Sequence, residues 1–155
     1  YGLVGSEMCI RDSHNTLKKQ QVEVEFEYFH ENTALQADAE QLKQVFLNII
    51  LNAVEAMSQN PPERSRTLII SIEKGASIDD HSHYLLLSFE DSGKGIGEKD
   101  LDHIFNPFFT TKDEGTGLGL AICYGIINRH EGEIEVHSTP GKGTCFTIKL
   151  PQYIV

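Results

Sequence analysis

The chain has 155 residues, a net charge of -10, 39% hydrophobic residues and 23% charged residues, which suits one domain burying about 70% of its unfolded surface around one core. The acidic charge argues against a nucleic-acid partner, and no apolar run approaches the roughly 20 residues of a membrane span. Cys9, Cys123 and Cys145 have neither paired nor metal-ligand spacing, so they read as reduced thiols in a cytoplasmic setting.

Residues 1–13, YGLVGSEMCIRDS, share no pattern with the rest of the chain and lack the basic start and sustained apolar region of a signal peptide. They are set apart as a non-native or linker segment, with 14–19 as the remnant of an upstream linker and 20–155 as one domain. Val22, Val24, Phe26 and Tyr28 alternate with Glu23, Glu25 and Glu27, which predicts a half-buried strand with its glutamates in water. Thr33 to Ala37 reads as a second, short strand. Asp38, three residues before Gln41, predicts a capped helix start. The helix carries Gln41 to Met57, QLKQVFLNIILNAVEAM, ends near Gln59 and is stopped by Asn60-Pro61-Pro62.

On that helix Leu42, Val45, Phe46, Ile49, Ala53, Ala56 and Met57 share one face. Leu47, Leu51 and Val54 form a second apolar face, and Gln41, Gln44, Asn48, Asn52 and Glu55 a polar stripe between them. A helix apolar on most of its circumference is expected to be buried. Asn48 and Asn52 then need hydrogen-bond partners or a ligand.

Thr67 to Glu73 and Tyr84 to Glu90 predict two strands joined by a polar hairpin loop, in which His81 and His83 lack a third metal ligand. Asp91 to Gly97, DSGKGIG, leads into a short helix over Glu98 to Ile104. Phe105 to Lys112, FNPFFTTK, is aromatic and then polar, with Phe105, Phe108 and Phe109 placed either to anchor the base of a mobile lid or simply to pack in the core. Asp113 to Gly119, DEGTGLG, opens a helix running to about Arg129. Glu133 to Ser138 and Thr144 to Leu150 are strands joined by a turn. This order predicts an α+β fold, a two-layer sandwich with helices on one face of a mostly antiparallel mixed sheet.

The glycine clusters carry the chemistry. Gly93, Gly95 and Gly97 follow a strand and Asp91; absent side chains permit close approach of a flat ligand, and Asp91 can accept from an exocyclic amine. The spacing is not that of a Rossmann or P-loop motif. GTGLG at 115–119 opens a helix, where exposed backbone N–H groups and the helix dipole suit phosphates. Asn52 offers a neutral oxygen to Mg²⁺, which takes few protein ligands beside phosphate oxygens. Lys112 can meet a phosphate as a point charge.

Together these segments resemble the catalytic ATP-binding domain of bacterial two-component sensor histidine kinases, the Bergerat fold. QVFLNIILNAVEAM resembles the N box, DSGKGIG the first glycine box, IFNPFFTTK the F box, GTGLGLAI the second glycine box and RHEGEIEVHSTPGKGTCFTIKLP the final strands. The wording is most similar to the nitrogen-regulation subtype. The resemblance implies that Asn52 coordinates Mg²⁺ on ATP, that Asn48 lines the phosphate region, and that Asp91 bonds the adenine amino group beside Gly93, Gly95, Gly97 and Thr144. It implies that Phe109, Thr110, Thr111, Lys112, Gly115, Thr116, Gly117, Leu118, Gly119 and Leu120 hold nucleotide under a lid spanning about residues 106–116. Related ATPases carry a water-activating glutamate at position 48, and asparagine is a poor general base. That favours phosphoryl transfer from ATP to a histidine, with Asn48 and Lys112 as the catalytic pair, over the alternatives of a hydrolytic ATPase or a non-catalytic nucleotide-binding regulator.

The implied partners are a separate histidine phosphoacceptor and dimerisation domain and a downstream response regulator, with no nucleic acid and no membrane contact by this fragment. The implied location is cytoplasmic, with membrane attachment of the parent left open. His14 lacks the acidic and arginine-rich context of an acceptor, and His130 reads as structural.

Overall fold

The computed structural model describes residues 2–15, 22–28, 33–77, 82–110 and 117–152. Five strands form the main sheet: β2 (Glu23–Tyr28), β4 (Thr67–Ala76), β5 (His83–Asp91), β6 (Glu133–Thr139) and β7 (Gly143–Gln152). Their order is β2-β4-β5-β7-β6. All neighbours are antiparallel except β2 and β4, which run parallel with Glu23 opposite Thr67 and Phe26 opposite Ile70. A parallel pair needs a long crossover, and the chain supplies one through β3 (Ala34–Ala37) and α2 (Ala39–Met57).

Alternation sorts the sheet into two faces. Leu68, Ile70 and Ile72 of β4, Leu85, Leu87 and Phe89 of β5, and Phe146, Ile148 and Leu150 of β7 are buried. Glu23, Glu25 and Glu27 of β2 face water, as their alternation predicts. The helices α2 and α4 (Gly119–Arg129) pack on each other. Their buried residues, among them Leu42, Phe46 and Ile49 of α2 and Cys123 and Ile126 of α4, join the core of the sheet's inner face. Phe46 stacks on Phe89 with ring centroids 5.8 Å apart.

Several boundaries depart from the sequence pattern. β4 and β5 are longer than their apolar runs, because pairing continues to Ala76 opposite His83. Gly75 permits this extension: a side chain there would occupy the space of the Tyr84 ring on the neighbouring strand. The short helix α3 covers only Glu98–Leu101, with turns after it. The second apolar face of α2 is not fully covered. Leu51 is 37% exposed and Leu47 and Val54 are half-buried, while Ile50 is buried instead.

The first residues, set apart by sequence, form β1 (Gly2–Gly5) and α1 (Ser6–Asn15). β1 pairs antiparallel with β3 as a separate two-stranded ribbon. α1 lies against α2, and its Cys9 and Ile10 are buried. Among the described residues, no helix is long and apolar enough to cross a membrane.

Candidate functional site

The site is built along the polar stripe of α2. Asp38 starts this helix, its carboxylate accepting from the Gln41 N–H at 3.1 Å, a side-chain cap that satisfies one of the open donors of the first turn. Asn48 and Asn52 are half-buried, while Gln44 and Glu55 are exposed. Gln41 places its Oε1 in the interior with no donor among the described residues. The Asn48 amide donates to the Gly119 carbonyl at 3.4 Å, which ties the stripe to the first residue of α4. Further along α4, the Cys123 thiol faces the Val45 carbonyl at 3.8 Å; burial pushes this thiol up to about 11.

The other end of α2 meets the first glycine segment. The Lys94 N–H donates to the Ala56 carbonyl at 3.1 Å. Gly93 has no room for a side chain, since a Cβ would lie 2.7 Å from that same carbonyl. Gly95 has φ +76° and its missing Cβ faces the Thr139 carbonyl, so both positive φ and close backbone approach require glycine there. Gly97 differs: it precedes α3 in extended conformation, and the nearest atom to a Cβ would be Asp100 Oδ2 at 4.0 Å.

Asp91 ends β5, opposite Thr144 on β7 and Leu68 on β4. It is 5% exposed. Its Oδ1 accepts from the Gly93 N–H at 2.8 Å. Burial holds the carboxyl above the ordinary carboxylate range, opposed by the Gly93 and Thr144 backbone donors and by the Arg64 charge. The Thr144 hydroxyl lies 2.8 Å from Ser138 Oγ, and Ser138 Oγ also accepts from the Ile96 N–H at 2.7 Å. The Gly141 N–H donates to the Lys94 carbonyl at 2.7 Å. The β6–β7 hairpin thus clamps the glycine segment from one side while α2 seats it from the other.

At the entrance to α4, Gly117 has φ +72° and its Cβ position is blocked by the Phe108 backbone. The Phe108 N–H donates to the Gly117 carbonyl at 3.0 Å. Leu118 precedes α4 without a side-chain cap, and Leu120 packs on the core. The aromatic segment divides. Phe105 and Phe109 pack on the core, but Phe108 is 74% exposed with φ +67°, so it is not an anchor of the segment. The backbone bond to Gly117 turns its side chain outward. Thr110 is described, whereas Thr111, Lys112, Gly115 and Thr116 lie outside the described residues.

One helix therefore joins both glycine segments: Asn48 touches the start of α4, Ala56 seats Gly93, and Asn52 lies between them. The expected clearance for a flat ligand is not what Gly93 and Gly95 provide: their missing side chains make room for the Ala56 and Thr139 carbonyls, so what the corner offers a purine is the Asp91 carboxylate, and phosphates suit the first turn of α4. Among the described residues no three acidic, histidine or cysteine side chains gather as a metal cage. A cation here would take the Asn52 amide oxygen and phosphate oxygens, as Mg²⁺ does readily. Sequence reasoning overlooked Ser138, Ser92, Asn60 and Arg64, which brace the Asp91 corner through contacts distant in the chain. Only the adjacency of Ser92 to Asp91 offered a signal.

The fold and this arrangement define a nucleotide-binding catalytic domain. The family described as histidine kinase-, DNA gyrase B-, and HSP90-like ATPase matches residues 37–154, and the chain belongs to it. Sensor histidine kinase ZraS of Escherichia coli (strain K12) is 46% identical over 120 residues, covering 76% of this chain and 23% of that protein. Sporulation kinase A of Bacillus subtilis (strain 168) is 44% identical over 125 residues, covering 81% of this chain and 19% of that protein. The solved catalytic domain of histidine kinase ThkA, in a nucleotide-free form, aligns with a TM-score of 0.80 and 31% identity over 97% of this chain and 95% of that one. The chain spans less than a quarter of the length of these two curated relatives, and it is a catalytic domain of the histidine-kinase type.

Proposed function

We propose that this domain binds Mg·ATP and donates the γ-phosphoryl group to a histidine on a separate acceptor domain of its parent protein, which then supplies a response regulator. The observation that carries the reading is the α2 stripe, which places Asn48 against the start of α4 where a hydrolytic site needs a carboxylate to activate water. In this reading Asp91 accepts from the adenine amine, and the Gly93 and Gly95 backbone lies along the ring. Asn52 holds the metal, whose charge when bound offsets that of the phosphates. The first N–H groups of α4 and Lys112 orient the triphosphate. An acceptor imidazole nitrogen attacks the γ-phosphorus, the bond to the β–γ bridging oxygen breaks, and ADP leaves. Catalysis is then mainly positioning and charge neutralisation.

The reading is tested by titrating a fluorescent ATP analogue with and without magnesium, then supplying an isolated acceptor domain with γ-labelled ATP. Magnesium-dependent binding and label on the acceptor are expected. No binding at millimolar nucleotide overturns it, and steady release of free phosphate without labelled acceptor favours hydrolysis.

A further inference from the structure

Residues 58–66, between α2 and β4, belong to none of the recognised motifs, yet they close on the Asp91–Gly93 corner. The Asn60 amide donates to the Ser92 carbonyl at 3.0 Å. Ser92 Oγ donates to the Ser65 carbonyl at 2.9 Å and accepts from the Thr67 N–H at 3.0 Å. The Arg64 N–H donates to the Pro61 carbonyl at 2.9 Å, a turn that projects the Arg64 side chain inward. Its guanidinium Nη2 donates to the Gly93 carbonyl at 2.7 Å. The nearby Arg66 instead bonds the Ser58 carbonyl at 3.0 Å, within the same loop.

The groups around Asp91 leave Arg64 a distinct role. Glu90 adjoins it on β5, and Cys145 on β7 stands opposite Glu90. β4 presents Leu68, and the last turn of α2 brings Ala56 and Met57 to the same corner; none of these three ionises. Arg64 reaches this corner through Gly93, whose carbonyl it binds and whose N–H donates to Asp91 Oδ1; its charge favours the ionised carboxylate and that of Glu90 opposes it. An ionised carboxylate only accepts hydrogen bonds, whereas a protonated one also donates. A 6-amino purine presents a donor at that edge and a 6-oxo purine an acceptor. At position 6 an ionised Asp91 therefore favours the amino purine, whereas a protonated one can take either class.

We propose that Arg64 is a positioning residue for base selection: by gripping the Gly93 carbonyl and facing Asp91 with positive charge, it keeps Asp91 an acceptor for 6-amino purines. The inference rests on the reading of Asp91 as the base-binding residue. Arg64 acts through Gly93 and Asp91, so its loss changes discrimination as well as affinity.

The test titrates wild type, Arg64→Gln and Arg64→Lys with ATP and ITP, in magnesium, from neutral to acid pH, with melting temperatures recorded alongside. Wild type prefers ATP at neutral pH and loses the preference on acidification. Arg64→Gln binds ATP about 3- to 10-fold more weakly, the worth of one such hydrogen bond, and loses its preference at a higher pH than wild type. Arg64→Lys keeps the charge and returns the pH profile toward wild type. A merely structural arginine would weaken ATP and ITP equally at every pH; an unchanged ATP-to-ITP profile in Arg64→Gln therefore overturns the proposal. Failure of the underlying reading looks different, because Asp91→Asn would then leave the ATP-to-ITP ratio as in wild type.

Discussion

The Ala56 carbonyl oxygen stands 2.7 Å from the position a Cβ on Gly93 would take. The last turn of the helix that carries Asn48 and Asn52 is thus also the seat of the first glycine segment. Gly93→Ala forces the two apart or displaces the loop. An overpacking cost of about 1–3 kcal/mol is expected, together with loss of ATP-analogue binding. Gly97→Ala meets open space and costs less than about 1 kcal/mol. Urea unfolding of both variants checks the contrast, and equal costs would contradict this packing.

The Asp91 carboxyl is held above its ordinary value by burial. Its ionised form is therefore disfavoured in the fold. The stability this site contributes is full below the unfolded carboxylate value and is lost as pH rises through the raised folded value. Asp91→Asn keeps an oxygen for the Gly93 N–H and removes the buried charge. The nucleotide-free variant should melt above wild type at neutral pH, with the gap closing in acid. Its ATP affinity should fall about tenfold or more, since a bond to a charged acceptor is lost. Calorimetry across pH, paired with nucleotide titration, reads both effects.

Asn52 lies between the two glycine segments without belonging to the buried face of α2. Asn52→Ala should weaken binding in magnesium well beyond its effect in a chelator, while the melting temperature moves little. Equal losses in both conditions would assign the amide to packing instead of to a metal.

His130 joins two elements away from the site. Its Nε2 accepts from the Asp38 N–H at 3.1 Å and its Nδ1 lies 2.8 Å from the Ile126 carbonyl, a pair that sets the hydrogen on Nδ1. His130→Ala removes both bonds from a buried position and should cost about 1–3 kcal/mol. Affinity for the ATP analogue should stay at the wild-type value. A loss of affinity without loss of stability would contradict the structural role.

Legibility followed the range of the signal. α2, α4 and the inner-facing strands could be read because their periodicity is local, and α2 also carries a local cap: Asp38 caps where its spacing to Gln41 implied. The parallel pairing of β2 with β4 could not be read, since alternation in Glu23–Tyr28 states which face is buried but not which neighbour is paired. Phe108 resembled Phe105 and Phe109 by type, but its left-handed backbone and its bond to Gly117 set it apart. The polar stripe of α2 and the glycine clusters pointed to Asn48, Asn52, Asp91 and the glycines, and the family resemblance gave them roles. Arg64 and Ser138 act through carbonyls and hydroxyls brought close by the fold, and no spacing rule announces them.

The pairing of Asp91 with Thr144 joins two hairpins, β4–β5 and β6–β7, that are each local in the chain. Bringing β5 beside β7 requires closure of the long segment containing α3 and α4, a step delayed by chain entropy. The Asp91–Thr144 corner therefore exists only once these two hairpins have joined. A ligand that binds there only in the folded state stabilises it by an amount set by its concentration relative to its Kd, so nucleotide would favour molecules in which the two hairpins have joined.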